Sequence, residues 1–337
     1  MAVAVGFAAR VGTGSVNDAV VLSGPDGRRC LVLPGSGSQL GSLALSPASG
    51  VPAVDILYTG LGEEVSRIGV SGGAPVLFPW PGRIARGAYT YRGQAYRLPG
   101  SAERHALHGF VHSVPWHLVG HGVDANGAWA KTRIEHAALG VSPAAFPGLY
   151  ALDVTHRLSP DGYVHEVCAS NVGAVPFPFG YGWHPYFRAP LTAGGERSEC
   201  QVRVPAQARW ELTSALVPTG RRLEVAGPYD LRQATRLGDK SYDDPFTLLE
   251  HDPDGGSHAD LIDPLAGLQV TVAADAAFEH WVVYSPRTLG AVCLEPYTCV
   301  PDAFNLEPRG IAAGIRELDP GEEWRAKITV RLRVSDS

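Results

Sequence analysis

Short apolar runs, cut by glycine and proline, dominate the chain. The glycines (40) and prolines (27) are spread throughout, so they punctuate many short segments rather than mark one linker. Strand-like runs are predicted at residues 30–33, 54–58, 151–158, 163–171, 201–205, 268–273, 280–285 and 291–295. The stretch 88–98 reads as a hairpin turning at Arg92-Gly93. The pair 151–158 and 163–171 reads as another around Ser159-Pro160-Asp161-Gly162, where Asp-Gly supplies turn chemistry. The final run, 324–334, alternates apolar and charged residues, the signature of a strand with one wet face. No long segment carries a 3.6-residue period, so helices should be few and short. The pattern predicts an all-β protein: one domain over 1–337, built as two large antiparallel sheets packed face to face, with a ligand on a concave sheet face or near its rim loops.

Bulk properties narrow the class. At 337 residues the chain can bury a large core. Apolar residues at 45% and charged residues at 18% fit a soluble globular balance. The net charge of -6 argues against broad binding to nucleic acid or to an anionic membrane. No apolar run reaches the roughly 18 residues of a membrane span. The apolar start, residues 1–9, lacks a basic leader and reads as a first strand rather than a signal peptide. Five scattered cysteines, Cys30, Cys168, Cys200, Cys293 and Cys299, do not form a disulfide framework. They point to a reducing compartment, so a cytoplasmic location is expected.

The candidate chemistry lies in separated segments. Gly182-Trp183-His184-Pro185-Tyr186-Phe187 surrounds one histidine with aromatic rings, whose faces stack on the C–H faces of sugars. Leu107-His108-Gly109-Phe110 holds a second histidine, inside a tract with His105, His112, His117 and His121. That tract matches no metal-ligand spacing, and most of its members are expected at the surface. An apolar run, Val292-Cys293-Leu294, ends in Glu295. A carboxylate in such a strand must be paired or functional. A Gly/Pro-rich stretch at 72–84 presents Arg83, whose guanidinium can donate several fixed hydrogen bonds to hydroxyls. Tyr242-Asp243-Asp244-Pro245-Phe246 offers paired carboxylates, and Asp302 is placed to support its loop by capping. Each has a plain structural alternative: a hydrogen-bonded core histidine for His184, and a salt bridge for Glu295 or Arg83.

Taken in order, these segments resemble the aldose 1-epimerase (mutarotase) family. The resemblance rests on Pro-Gly-Arg-Ile at 81–84, Leu-His-Gly-Phe at 107–110, His-Pro-Tyr-Phe at 184–187, Tyr-Asp-Asp-Pro-Phe at 242–246, Leu-Glu-Pro at 294–296 and Pro-Asp-Ala-Phe-Asn at 301–305. It covers about residues 50–310, and its motifs in register, with 294–296 and 301–305 counted as one, are five, more specific together than any one. It implies a galactose-mutarotase-like β-supersandwich, no cofactor and no metal, and a hexose as partner, in a monomer or homodimer. It also implies that Glu295 takes the proton of the anomeric hydroxyl and that His184 protonates the ring oxygen. His108 would hydrogen-bond the sugar near the reacting centre, sharing the acid role, and Arg83 and Asp243 would bind ring hydroxyls. Two departures bear on specificity. Gly82 stands where the family often has Asn. A sugar-contacting Gln has no clear match, and Trp281 is expected to stack on the sugar in its place.

Other readings use the same residues. A hexose-6-phosphate 1-epimerase would need an anion site, for which Arg67, Arg86, Arg104 and Arg188 are candidates, although Ser71 stands where an arginine is usual before Gly-Gly-x-Pro. A non-catalytic carbohydrate-binding protein on this scaffold would need the aromatic platform but not Glu295 with His184. A glycosidase needs two suitably spaced carboxylates, and Glu295 alone is persuasive.

Overall fold

The structure, a computed structural model, describes residues 6–12, 19–60, 71–99 and 104–335. It is built of antiparallel ladders with one short α-helical turn, Ala303–Leu306, and a few 3-10 turns. The all-β expectation therefore holds, and with it the scarcity of helix. The predicted first strand begins outside the described residues; within them a strand runs Ala8–Val11.

Two large sheets form the body. One has nine strands, in the order His117–Asp124, Gly127–Glu135, Tyr150–Ser159, Gly162–Asn171, Glu323–Val334, Leu268–Ala274, Ser257–Asp263, Gln201–Arg203 and Thr235–Arg236. The other runs Pro218–Glu224, Ala206–Leu212, Asp243–Leu249, His280–Tyr284, Ala291–Tyr297, Gly182–Trp183 and Val76–Leu77, with Tyr186–Arg188 also paired to Ala291–Tyr297. A third sheet, of five strands from Ala8–Val11 to Val54–Asp55, was not foreseen as separate. It packs on the outer strands His117–Asp124 and Gly127–Glu135. The N-terminal strands are amphipathic, so they bury their apolar face on the sandwich without joining its ladders.

The predicted hairpins close as the sequence requires. Tyr91 pairs with Gln94 across Arg92 and Gly93, both at positive φ (48° and 81°), the geometry that matches strand twist in a two-residue turn. Ser159 pairs with Gly162, and a Cβ on Gly162 would lie 2.3 Å from the Val330 carbonyl oxygen of the neighbouring strand. In Glu323–Val334, Ala326, Ile328, Val330 and Leu332 are buried while Arg325, Lys327, Arg331 and Arg333 take the other face, the predicted alternation.

Between the large sheets lie three tryptophan contacts and a chain of polar groups. Trp281 is fully buried and donates from Nε1 to Ser257 Oγ of the opposite sheet at 2.9 Å. Trp183 stacks on Tyr163 with ring centroids 5.9 Å apart and lies 5.3 Å from His165. Beside it runs a buried series: Thr132 Oγ1 to Ser38 Oγ (2.5 Å), Ser38 to His156 Nε2 (2.9 Å), His156 Nδ1 to the Tyr163 hydroxyl (2.7 Å), that hydroxyl to His165 Nδ1 (3.3 Å), and His165 Nε2 to the Tyr181 hydroxyl (2.6 Å). Buried polar groups that find partners avoid a desolvation cost and fix one packing of the core. Among the described residues no helix is long and apolar enough to cross a membrane, and all five cysteines are free and buried.

Burial holds these histidines neutral. It lowers His156 from 6.5 to about 3, His165 well below 6.5, with His156 adding to it, and His280 to about 4. The unfolded chain therefore binds protons, from about pH 6.5 downward, that the folded chain refuses until far lower. Their contribution to stability is complete above about pH 6.5 and is lost as pH falls, at about 1.4 kcal/mol per pH unit for each such proton. The urea midpoint should accordingly drop steadily between pH 6.5 and 4, and replacing His165 with Phe should flatten that slope. A midpoint constant over this range would contradict the buried neutral assignment.

Candidate active site

The strand Ala291–Tyr297 has a side-chain period of two. Val292 and Leu294 point into the main core, while Glu295 and Tyr297 line a cavity of about 200 Å³ on the outer face of the eight-stranded sheet. Cross-strand pairing sets their neighbours. Glu295 faces Val282, which faces Pro245 on the next strand. Two residues along, Cys293 pairs with Tyr284 on one side and Tyr186 on the other, and Tyr284 pairs with Asp243. Asp243, Pro245, Val282, Tyr284, Glu295 and Tyr297 thus form the floor.

The walls come from the segments singled out in the sequence. His184 and Tyr186 stack with ring centroids 4.7 Å apart and planes within 6°. The His184 backbone is held by the Pro75 carbonyl oxygen at 3.0 Å. His108 sits at φ +62° and Gly109 at +74°. A Cβ on Gly109 would lie 2.0 Å from the Phe78 carbonyl oxygen, so only glycine permits this close approach. The left-handed turn aims the His108 ring at the cavity, 5.5 Å from that of His184. His108 Nδ1 accepts the Gly82 N–H at 3.2 Å. The neutral ring therefore carries its proton on Nε2, which leaves a donor for a ligand. Burial lowers the His108 pKa well below 6.5, and His184, His112 and Arg83 push the same way. His108 is a neutral donor, not a standing cation.

Glu295 is the singular group. It is 1% exposed, and its Oε2 accepts the Tyr297 hydroxyl at 2.6 Å. Its Oε1 lies 3.3 Å from His184 Nε2 but has no hydrogen-bond partner within the protein. Burial raises the carboxyl well above 4.5, the Tyr297 hydroxyl lowers it, and Asp243 raises it again. Burial lowers His184 to about 3. The plain salt-bridge alternative is thus disfavoured, because desolvation favours the neutral pair over two buried ions.

Arg83 and Asp243 both line the cavity, and Arg83 opposes the upward push that burial gives the Asp243 carboxyl. Their placement leaves both able to meet hydroxyls. Asp244 turns to the other side of its strand and pairs with Arg209 at 3.4 Å, so the Asp-Asp pair does not act as one site. Asp302 does not cap its own helical turn. Its Oδ1 accepts the Ala85 N–H (2.8 Å) and the Asn305 amide (2.7 Å), and its N–H binds the Arg83 carbonyl oxygen (2.6 Å). It fixes the Arg83 loop from across the cavity rim.

Trp281 is a correction. It occupies the opposite face of its strand from Val282 and Tyr284 and is sealed between the sheets, so it cannot stack on a ligand in this cavity. The aromatic contacts there belong to Tyr186, Tyr284 and Tyr297. Strand alternation through 280–285 was the available signal: a ligand-facing residue two places from Tyr284 is Val282, not Trp281. Of the histidine tract, His108 alone lines the cavity. His117 and His121 are exposed on an outer strand, and His105 accepts the Arg86 N–H. Of the arginines weighed for an anion site, Arg86, Arg104 and Arg188 do not line the cavity, Arg188 sits 3.7 Å from Asp55, and Arg67 lies outside the described residues.

Comparison with known proteins bears on the family and the fold. The aldose 1-epimerase family profile matches residues 66–331. The uncharacterized Escherichia coli (strain K12) protein YihR is 29% identical over 238 residues, 68% of this chain and 71% of that protein. The aldose 1-epimerase of Streptococcus thermophilus is 24% identical over 252 residues, covering 66% and 70%. Among solved structures, a galactose mutarotase-like protein from Clostridium acetobutylicum superposes with a TM-score of 0.84 over 98% of this chain and 99% of that one, at 20% identity. The galactose 1-epimerase of Lactobacillus acidophilus does so with 0.73 over 98% of both, at 17% identity. The fold is that of the galactose mutarotase-like proteins, and the chain belongs to the aldose 1-epimerase family.

Proposed function

We propose that this protein is an aldose 1-epimerase that interconverts the α and β anomers of a free hexose. The observation that carries the reading is Glu295 Oε1, a buried carboxyl oxygen with no hydrogen-bond partner in the protein, facing a cavity 3.3 Å from His184 Nε2. Anomer exchange needs one group to take the proton of the anomeric hydroxyl and another to give one to the ring oxygen. Glu295 and His184 are the base and the acid. The C1–O5 bond breaks as the C1 carbonyl forms; rotation about C1–C2 and reclosure with the proton roles reversed yield the other anomer. The steps balance without an external electron or group donor.

The pair shares one proton. Burial alone places it on the carboxyl, since it raises Glu295 and lowers His184. A sugar hydroxyl donating to Oε1 stabilises the carboxylate and passes the proton to the imidazole, the form that can protonate the ring oxygen. His108 Nε2–H, Arg83 and Asp243 hold the ring in place. Arg83 is the one Lys or Arg lining the cavity among the described residues, beside Asp243 and Glu295. This balance supports a neutral sugar over a phosphorylated one.

Polarimetry of freshly dissolved α-D-glucose and α-D-galactose should reveal acceleration by the protein. Glu295→Gln should reduce it by about 10²- to 10⁴-fold, the usual worth of a positioned acid or base, while sugar binding persists by calorimetry. Equal loss of binding and folding would return Glu295 to a structural role. Acceleration of hexose 6-phosphates alone would move the substrate to that class.

The rate should also stay level as pH falls from neutrality through 6.5. The one-proton pair gains a second proton only as pH falls toward the lowered His184 value, about 3, and loses its proton only above the raised Glu295 value. Burial pushes these steps apart. A kcat/KM profile that falls with a midpoint near pH 6.5 would place an ordinary, solvated histidine in the acid role instead.

A further inference from the structure

Cys293 belongs to none of the steps above, yet it stands on the same face of its strand as Glu295, two residues away, and opposite Tyr186 and Tyr284. It is fully buried under the cavity floor and does not line the cavity. Donor atoms of His184, Cys293 and Glu295 nonetheless all lie within 4.8 Å of one another. Among the described residues this is the one cluster of three His, Cys, Asp or Glu donors so arranged. A second observation points to a ligand there: Glu295 Oε1 is buried, has no hydrogen-bond partner and faces the cavity.

We propose that this cavity takes a thiophilic divalent cation of the Zn²⁺ class, bound by His184 Nε2, Cys293 Sγ and Glu295 Oε1, and that the ion blocks the site. The donor set is the imidazole, thiolate and carboxylate mixture that zinc accepts, at bond lengths of about 2.0–2.3 Å. Tetrahedral ligands at such distances sit about 3.3–3.8 Å apart. His184 and Glu295 already stand 3.3 Å apart, so the cluster closes by moving Cys293 Sγ by roughly 1.5 Å or less toward them. The fourth position opens to the cavity and is filled by water. The Tyr297 hydroxyl on Oε2 holds the carboxylate in orientation from behind, as outer partners of metal ligands do. On binding, the thiol proton and the proton shared by Glu295 and His184 leave to solvent as the metal–sulfur, metal–oxygen and metal–nitrogen bonds form. The ion occupies both the base and the acid, so sugar and metal exclude each other. The binding site stands on its own geometry; the inhibition rests on the epimerase reading.

Two measurements separate these parts. Titration of the wild-type protein with Co²⁺, a spectroscopic stand-in for Zn²⁺, should produce a thiolate-to-cobalt absorption band at one equivalent. Zn²⁺ should abolish that band and inhibit mutarotation in competition with sugar, reversibly by chelator. Cys293→Ala should retain mutarotation, lose the band and raise the inhibitory Zn²⁺ concentration by more than about tenfold, since a ligand matters at least as much as an outer partner. Cys293→Ser serves the same purpose if the alanine variant folds poorly. No cobalt–thiolate band in the wild type, or equal Zn²⁺ inhibition of wild type and variant, would overturn the proposal. If the wild type accelerates no sugar, the epimerase reading fails and the cobalt band still decides the metal site.

Discussion

The two-residue period of the Ala291–Tyr297 strand is the constraint on which the site depends. One face must fill the space between two sheets, and Val292 and Leu294 do so. The other face is then obliged to present Cys293, Glu295 and Tyr297 to the outer side. A carboxyl exposed in this way would ordinarily be solvated. Here stacked Tyr186 and His184, with Tyr284 and Tyr297, wall it off from water. The upward push on the carboxyl and the downward push on the imidazole follow from that single arrangement.

The neighbouring segment is held by the core rather than by the cavity. His184 is one residue beyond Trp183, which packs on Tyr163 and His165, and three beyond Tyr181, which closes the buried polar series at His165 Nε2. The Tyr181 N–H donates to Thr298 Oγ1, and the Thr298 N–H to the Tyr181 carbonyl oxygen. The strand carrying Glu295 is thereby tied directly to the segment carrying His184. Each polar group in this chain is expensive to bury without its partner, so the network penalises any displacement that breaks one bond. The base and acid roles proposed for Glu295 and His184 need such support outside the cavity, because two groups 3.3 Å apart tolerate little drift.

Much of this was legible in the sequence, for physical reasons that differ by residue. Strands with one buried face announce themselves by alternation, and 151–158, 163–171 and 324–334 lie where expected. Glu295 and His184 stood out because a carboxylate ending an apolar run and a histidine among aromatics are costly unless used. His108 stood out through its glycine. Trp281 misled because an aromatic suggests a sugar platform, whereas a two-residue register decides which face it takes. Tyr297, Tyr284 and Cys293 were missed although each is an even number of residues from a recognised site residue on the same or the paired strand. Nothing local in the sequence marks Leu212 and Leu216 as cavity residues, since the sheet order alone brings their hairpin to the rim.

The departure at position 82 acquires a cause once Pro301 is seen beside it. Gly82 has φ +66°, and a Cβ there would meet Pro301 Cγ at 2.5 Å. The space that a longer side chain would need is thus taken by the proline that begins the Pro-Asp-Ala-Phe-Asn segment. The same glycine supplies two backbone bonds to His108, its N–H to Nδ1 and its carbonyl oxygen to the His108 N–H at 2.8 Å. Position 82 therefore acts through its backbone, fixing the tautomer of His108 and leaving its Nε2 proton free for a ligand on the proposed reading. With Leu107, Leu216 and Pro301 forming apolar parts of the wall, hydrogen bonding to a sugar is, on the proposed reading, concentrated on Arg83, His108, Asp243 and the Glu295–His184 pair. On that reading, discrimination among hexoses rests on how few hydroxyls these groups can reach, because an unmatched hydroxyl against the apolar wall loses its water without gaining a partner.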